Sequence, residues 1–207
     1  MVAYDLSHLT QADDEKVIGP IQDTEALFLY SVVRGMRMRR ILEIGGLHGY
    51  SATNFIKAMP PDGIMYTVDI MPVTQVAANH RVITKDAVHL TKSDLDGMPL
   101  DMVFFDCHDY AVQMNTYNRL VAEGVILNST VIALHDTHVH PTRVVGWGYE
   151  IPGGGWVHQK VEREMVNEFV RLGYHAFSLH TPLDRHDDSM PFRHGVTLMQ
   201  KFTPLLT

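Results

Sequence analysis

Short apolar runs and longer amphipathic stretches alternate along this chain. Arg40 to Gly45, Ile64 to Asp69, Arg81 to Thr84, Asp101 to Phe105 and Thr130 to Leu134 read as buried strands, each a short apolar run bounded by polar or glycine residues. Helical patterns fill the gaps. Asp23 or Thr24 caps a helix to about Met36 that includes Leu27, Val32 and Val33. Tyr50 to Met59 is a second helix, and a short one is expected around Val73 to Asn79. A further helix turns Val112, Tyr117, Leu120 and Val121 inward and stops at Gly124. Val157, Val161, Met165 and Phe169 then follow at steps of four, with Lys160, Glu162, Arg163 and Glu164 outside them. That spacing predicts an amphipathic helix closed by Gly173. Tyr174 to Leu179 and Gly195 to Phe202 read as two last strands. The alternation argues an α/β protein with a doubly wound, mostly parallel sheet. Residues 1–20 are polar and read as an arm, and 21–207 as one domain.

The first strand breaks into Gly45, Gly46 and Gly49, and the second ends on Asp69. A strand, a glycine turn and a helix form a nucleoside half-site, because glycine lets backbone approach a ligand closely. An acid at the tip of the second strand suits a ribose hydroxyl. A dinucleotide fingerprint, G-x-G-x-x-G, requires glycine at positions 47 and 50, where this chain has Leu47 and Tyr50. The NAD reading fails there.

Composition narrows the class. The chain has 207 residues, 45% of them hydrophobic and 20% charged, as in an ordinary globular protein. A formal charge of −7 argues against nucleic acid as partner, since binding a polyanion needs a basic face. The basic run Arg34 to Arg40 reads as a solvated helix end. Lone Cys107 cannot form an internal disulfide and reads as a small buried filler. With no apolar leader and no run of 18 apolar residues, the expectation is a cytoplasmic protein with no membrane contact.

Glu43-x-Gly45-x-x-x-Gly49 resembles motif I of class I S-adenosylmethionine-dependent methyltransferases, with Leu47 where many members have a middle glycine. Within that class the chain looks most like the small metal-dependent O-methyltransferases. These include the catechol and caffeoyl-CoA type and the sugar-methylating, cephalosporin-hydroxylase-like group. The segment Pro20-Ile-Gln-Asp-Thr-Glu-Ala-Leu before motif I is similar to theirs. The resemblance spans roughly residues 20–202. It implies a Rossmann-like seven-stranded sheet with an antiparallel last strand and helices on both faces. It also implies that Glu43, Gly45, Gly46, Gly49 and Ser51 hold the methionine portion of the cofactor and Asp69 the ribose. Asp86 and Ala87 match the position that meets the adenine amino group, although Asp86 also reads as a plain loop acid. A homodimer or larger assembly is a further implication.

The second candidate constellation joins Asp106, at the end of strand four, with His135 and Asp136, at the end of strand five. Related methyltransferases bind a divalent cation with an acid after strand four and an acidic or Asp-Asn pair after strand five. Asp106 and Asp136 match, while His135 replaces the first member of that pair. Oxygen donors favour Mg²⁺ or Mn²⁺, and a histidine widens the choice to zinc, iron or nickel. Both acids also read as helix caps. Asp106-Cys-His-Asp-Tyr-Ala-Val112 resembles the family stretch Asp-Gly-Asp-His-x-Tyr-x-x-Val with one residue deleted. That alignment sets His108 near the general base of the sugar-methylating group, a role a neutral imidazole suits; it also reads as a surface histidine. His138 and His140 are open as ligands or substrate contacts. The stretch Pro141 to Gly155, with Trp147, Tyr149 and neighbouring Trp156, reads either as an aromatic lid or as a surface loop.

The expected activity is metal-dependent O-methylation of a small-molecule hydroxyl, on a catechol, sugar or other polyol. A metal-free methyltransferase using His108, and a non-catalytic cofactor-binding protein, are the other readings.

Overall fold

The protein is described from a computed structural model, which covers residues 21, 23–139, 148–150, 156–158, 161–179 and 193–201. Helix α1 (Asp23–Met36) leads into strand β1 (Arg40–Ile44), and α2 (Tyr50–Ala58) leads into β2 (Ile64–Asp69). Next come β3 (His80–Thr84), β4 (Met102–Phe105), α3 (Tyr110–Ala122) and β5 (Val131–Leu134). The remaining elements are β6 (His138–Val139), β7 (Gly148–Glu150), β8 (Trp156–His158), α4 (Val161–Arg171), β9 (Tyr174–Leu179), β10 (Arg193–His194) and β11 (Val196–Lys201).

Seven strands form one sheet in the order β3-β2-β1-β4-β5-β11-β9. β1 to β5 run parallel, and β11 runs antiparallel to β5 and β9. This is the expected doubly wound sheet with its antiparallel last strand. Along each central strand the two-residue period sends neighbours to opposite faces. Ile41, Met65, Met102, Phe104 and Ala133 join the core under α1 and α2. Leu42, Tyr66, Val103, Phe105 and Ile132 join the core under α3 and α4. β1 is hydrogen-bonded to both β2 and β4, so the strand order reverses there. Ligands of open α/β sheets bind beyond the strand ends at such a crevice.

Two expected elements and the burial of one residue differ. No helix forms between Val73 and Asn79. Pro72 and the β-branched Val73, Thr74 and Val76 disfavour one, and the extended backbone instead packs Val76 near Gly49. Val157 belongs to a small antiparallel ribbon, paired with Tyr149, and α4 begins only at Val161. An aromatic and a β-branched residue in succession favour that strand. Val121 is 41% exposed, because it lies about 100° around the helix from buried Leu120. The 1–20 arm, His140 and Trp147 lie outside the described residues.

Candidate active site

A cavity of about 600 Å³ opens beyond the carboxyl ends of β1, β2 and β4. Gly45, Leu47, Asp69, Asp86, Asp106 and His108 are among the residues around it.

On the β1–β2 side, the glycine turn is built around one carboxylate. Asp69 Oδ2 accepts the backbone N–H of Gly46 at 2.8 Å and of Leu47 at 3.3 Å, and its Oδ1 accepts that of Met71 at 2.8 Å. Gly45 has a φ of 92°, and a Cβ there would lie 2.6 Å from the Asp106 carbonyl oxygen. Glycine is therefore required at this point for two separate reasons, chain direction and the approach of β4. At Gly46 a Cβ would run into the Thr67 methyl. Packing of the protein against itself thus accounts for these two glycines, beside any close approach of a ligand.

Glu43 lies fully buried beneath the turn and is not among the cavity's lining residues. Ser51 Oγ donates to its Oε1, and Thr67 Oγ1 donates to its Oε2 at 2.8 Å. His80 Nε2 stands 2.8 Å from Thr67 Oγ1, while His80 Nδ1 accepts the Val76 N–H at 3.2 Å. With Thr67 donating to Glu43, His80 must donate from Nε2, and the ring is neutral. Burial pushes the Glu43 carboxyl up to about 7, against the lowering effect of the Ser51 and Thr67 hydrogen bonds. Glu43 and Ser51, expected at the cofactor, brace the turn from below. Asp86 Oδ1 accepts the Val88 N–H at 3.0 Å and so caps the short turn that begins at Ala87. Both residues line the cavity.

On the β4–β5 side the charged groups come from distant elements. Asp106 Oδ1 lies 3.0 Å from His135 Nδ1, and Glu25 Oε2 of α1 lies 3.1 Å from His135 Nε2. A carboxylate stands at each ring nitrogen, an arrangement that favours the protonated ring. Burial alone would pull His135 down, but the Asp106 and Asp136 charges and the hydrogen bonds to Asp106 and Glu25 raise it well above the usual imidazole range. Glu25 Oε1 also accepts the Gly195 N–H, which ties α1 to the start of β11. Asp136 is buried and has a φ of 56°, an uncommon backbone for a residue other than glycine.

His135 was the expected third metal donor, and among the described residues the group whose ligand atoms converge contains His108 in its place. Asp106, His108 and Asp136 each offer one ligand atom, all within 4.8 Å of one another. His108 Nε2 stands 3.7 Å from Asp136 Oδ2, and His108 Nδ1 stands 2.7 Å from Glu162 Oε1 of α4. Both nitrogens of His135 are instead engaged by carboxylates, Asp106 and Glu25. Cys107, also at the cavity, has its thiol pushed up to about 12 by burial and the Asp106 charge, which leaves it a poor nucleophile.

Glu25 and Glu162 were missed by sequence reasoning, and Glu162 was assigned to an outer helix face. Both are buried. Glu25 precedes Leu29 and Val33 at steps of four, and Glu162 precedes Met165 and Phe169 by three and seven. An acid on the apolar stripe of a helix was the available signal.

Residues 4–97 match a family model described as O-methyltransferase. No protein of curated function matches the chain by sequence. Among solved structures, the O-methyltransferase TomG from Streptomyces achromogenes, involved in tomaymycin synthesis and in complex with S-adenosylmethionine, is similar at 21% identity and a TM-score of 0.59. That likeness covers 96% of this chain and 89% of TomG. Cofactor-bound Rv0187 from MTB is similar at 18% identity, with a TM-score of 0.62 and 94% and 86% of the two chains covered. An O-methyltransferase from Bacillus cereus in complex with S-adenosylhomocysteine is similar at 15% identity, with a TM-score of 0.56 and 95% and 90% covered. With a match over residues 4–97 and a fold shared over nearly the whole length, the chain has the fold of these methyltransferases and resembles the O-methyltransferase family.

Proposed function

We propose that the protein is an S-adenosylmethionine-dependent O-methyltransferase that uses a divalent cation and acts on a hydroxyl of a small molecule such as a catechol, sugar or other polyol. One observation carries this reading: a glycine-turn wall with Asp69 and a wall with Asp106, His108 and Asp136 border the same end of the sheet. The cofactor supplies an electrophilic methyl group, and the cavity suits it in volume, apolar lining and placed acids. Asp69 has lone-pair capacity beyond the three N–H groups it accepts, so it remains able to receive a ribose hydroxyl. Asp86 and Ala87, across the cavity, are the proposed adenine contacts.

Two carboxylates and one imidazole are a donor set that fits Mg²⁺, Mn²⁺ or a later transition ion. Asp106, His108 and Asp136 would hold the ion, whose Lewis acidity makes an acceptor hydroxyl easier to deprotonate. The protein's own part is to place that hydroxyl. Asp106 lines the cavity and stays oriented by His135, and the rigid strand ends limit where an acceptor oxygen can stand.

Thermal-shift titration tests the cofactor: S-adenosylmethionine and S-adenosylhomocysteine should stabilise the protein more than NAD at equal concentration. A larger NAD shift would overturn the cofactor assignment. Methyl transfer on a catechol and polyol panel, with and without chelator, tests the ion. Turnover that survives excess chelator would remove the ion and leave His108 as a metal-free base.

A further inference from the structure

The two histidines of the β4–β5 wall are held in opposite ways. His135 has a carboxylate at each nitrogen, at 3.0 and 3.1 Å. His108 has a carboxylate in hydrogen-bond contact at Nδ1 only, Glu162 at 2.7 Å. Its Nε2 lies 3.7 Å from Asp136 Oδ2, beyond the usual N–H···O range. Two atoms bound to one cation through bonds of about 2.0–2.3 Å stand roughly 3–4 Å apart, so that gap suits a shared ion.

We propose that Glu162 is a positioning residue for the ion site: it holds His108 in the tautomer whose Nε2 lone pair faces Asp106 and Asp136, making Nε2 the third donor. The inference rests on the reading that a divalent ion binds here. Glu162 is 2% exposed on α4, and a buried carboxylate needs a hydrogen-bond donor to offset lost hydration. An ionised carboxylate cannot donate, so the proton between Glu162 and His108 sits on Nδ1. A neutral ring protonated at Nδ1 leaves Nε2 as the lone pair. Metal-binding histidines are commonly fixed this way, through a hydrogen bond from the nitrogen opposite the ion. The arrangement also joins α4 to the ion site, although the helix itself supplies no ligand.

The test is Mn²⁺ binding to the metal-free chain, followed by electron paramagnetic resonance of the free ion, with no cofactor or acceptor present. Glu162→Ala should weaken Mn²⁺ by about 10–100-fold. Glu162→Gln retains an oxygen that accepts from Nδ1 and should come within about fivefold of wild type. Cofactor affinity should be unchanged in both, which also reports that each has folded. In the metal-free wild type at alkaline pH, ¹⁵N shifts of His108 should show the proton on Nδ1. Wild-type Mn²⁺ affinity in Glu162→Ala, or a proton on Nε2, overturns the role of Glu162 while leaving the ion reading intact. A wild-type chain that binds no Mn²⁺ overturns both. If Glu162→Ala does not fold, the Gln variant and the tautomer spectrum decide the matter.

Discussion

At the β1–β2 side of the cavity one carboxylate, Asp69, is satisfied by three backbone N–H groups. At the β4–β5 side, Glu25, Asp106, Asp136 and Glu162 gather around two imidazoles. The first wall is built of backbone N–H dipoles gathered on one carboxylate, so its shape is set by the main chain. The second is made of side chains from two helices and two strand ends. Its carboxylates can give up a histidine contact to a cation, which suits an ion site that fills and empties. On the proposed function the difference separates two tasks: a preformed cradle for the cofactor, and a polar cluster for an ion and the acceptor.

The walls touch at Gly45 and Asp106, and the strongest test of the comparison is to force them apart. Gly45→Val places a side chain against the Asp106 carbonyl at a φ of 92°. It should destabilise the fold by more than about 3 kcal/mol, because backbone strain and a clash add. Calorimetric unfolding checks this, and a melting temperature near wild type would mean that the close approach is not needed.

Asp136→Asn breaks the second wall alone. Methyl transfer should fall about 100–1,000-fold, the loss usual when a transition-state charge partner is removed. Cofactor affinity should stay within about 1 kcal/mol. Parallel kinetics and calorimetry separate the two effects, and an equal loss of cofactor affinity would show the walls to be one unit.

Glu43→Gln sharpens the description of the first wall through pH. The Glu43 carboxyl, raised from 4.5 to about 7, binds its proton more tightly folded than unfolded. Stability from this group is therefore present below pH 4.5 and declines as pH rises to about 7. The shift corresponds to roughly 3 kcal/mol of lost stability above that range. The Gln variant should match wild type near pH 4, lose less on titration, and unfold at higher temperature at pH 8. Parallel wild-type and variant curves of melting temperature against pH would show that Glu43 does not titrate there.

Asp69→Ala should have the smallest effect, costing about 1.5–3 kcal/mol of cofactor affinity. It also frees the Gly46 and Leu47 N–H groups and so lowers the melting temperature. Isothermal calorimetry measures the first effect and thermal unfolding the second. Full cofactor affinity in a destabilised variant would leave Asp69 as a brace of the turn only.

The sequence by itself determined the strand runs, the parallel core and the glycine turn with Asp69 at the second strand tip. These depend on local periodicity, and on residues 41–69 that fold back on each other within one β-α-β unit. It also marked Asp106 and Asp136 as ends of adjacent strands, which follows once the strand order is granted. Tertiary structure alone decided which histidine joins Asp106 and Asp136 in the candidate ion site. His135 and His108 are equivalent as residue types, but β5 turns one between Glu25 and Asp106, while α3 begins where the other meets Glu162. Glu25 and Glu162 lie 137 residues apart, and an acid on an apolar stripe has no meaning until the partner it faces is in place. The purpose of the glycines was also a tertiary matter. Sequence reads them as room for a ligand, and packing adds that Gly45 and Gly46 make room for Asp106 and Thr67. Local patterns fix where the chain turns; the contacts between distant segments fix which polar atoms remain able to act.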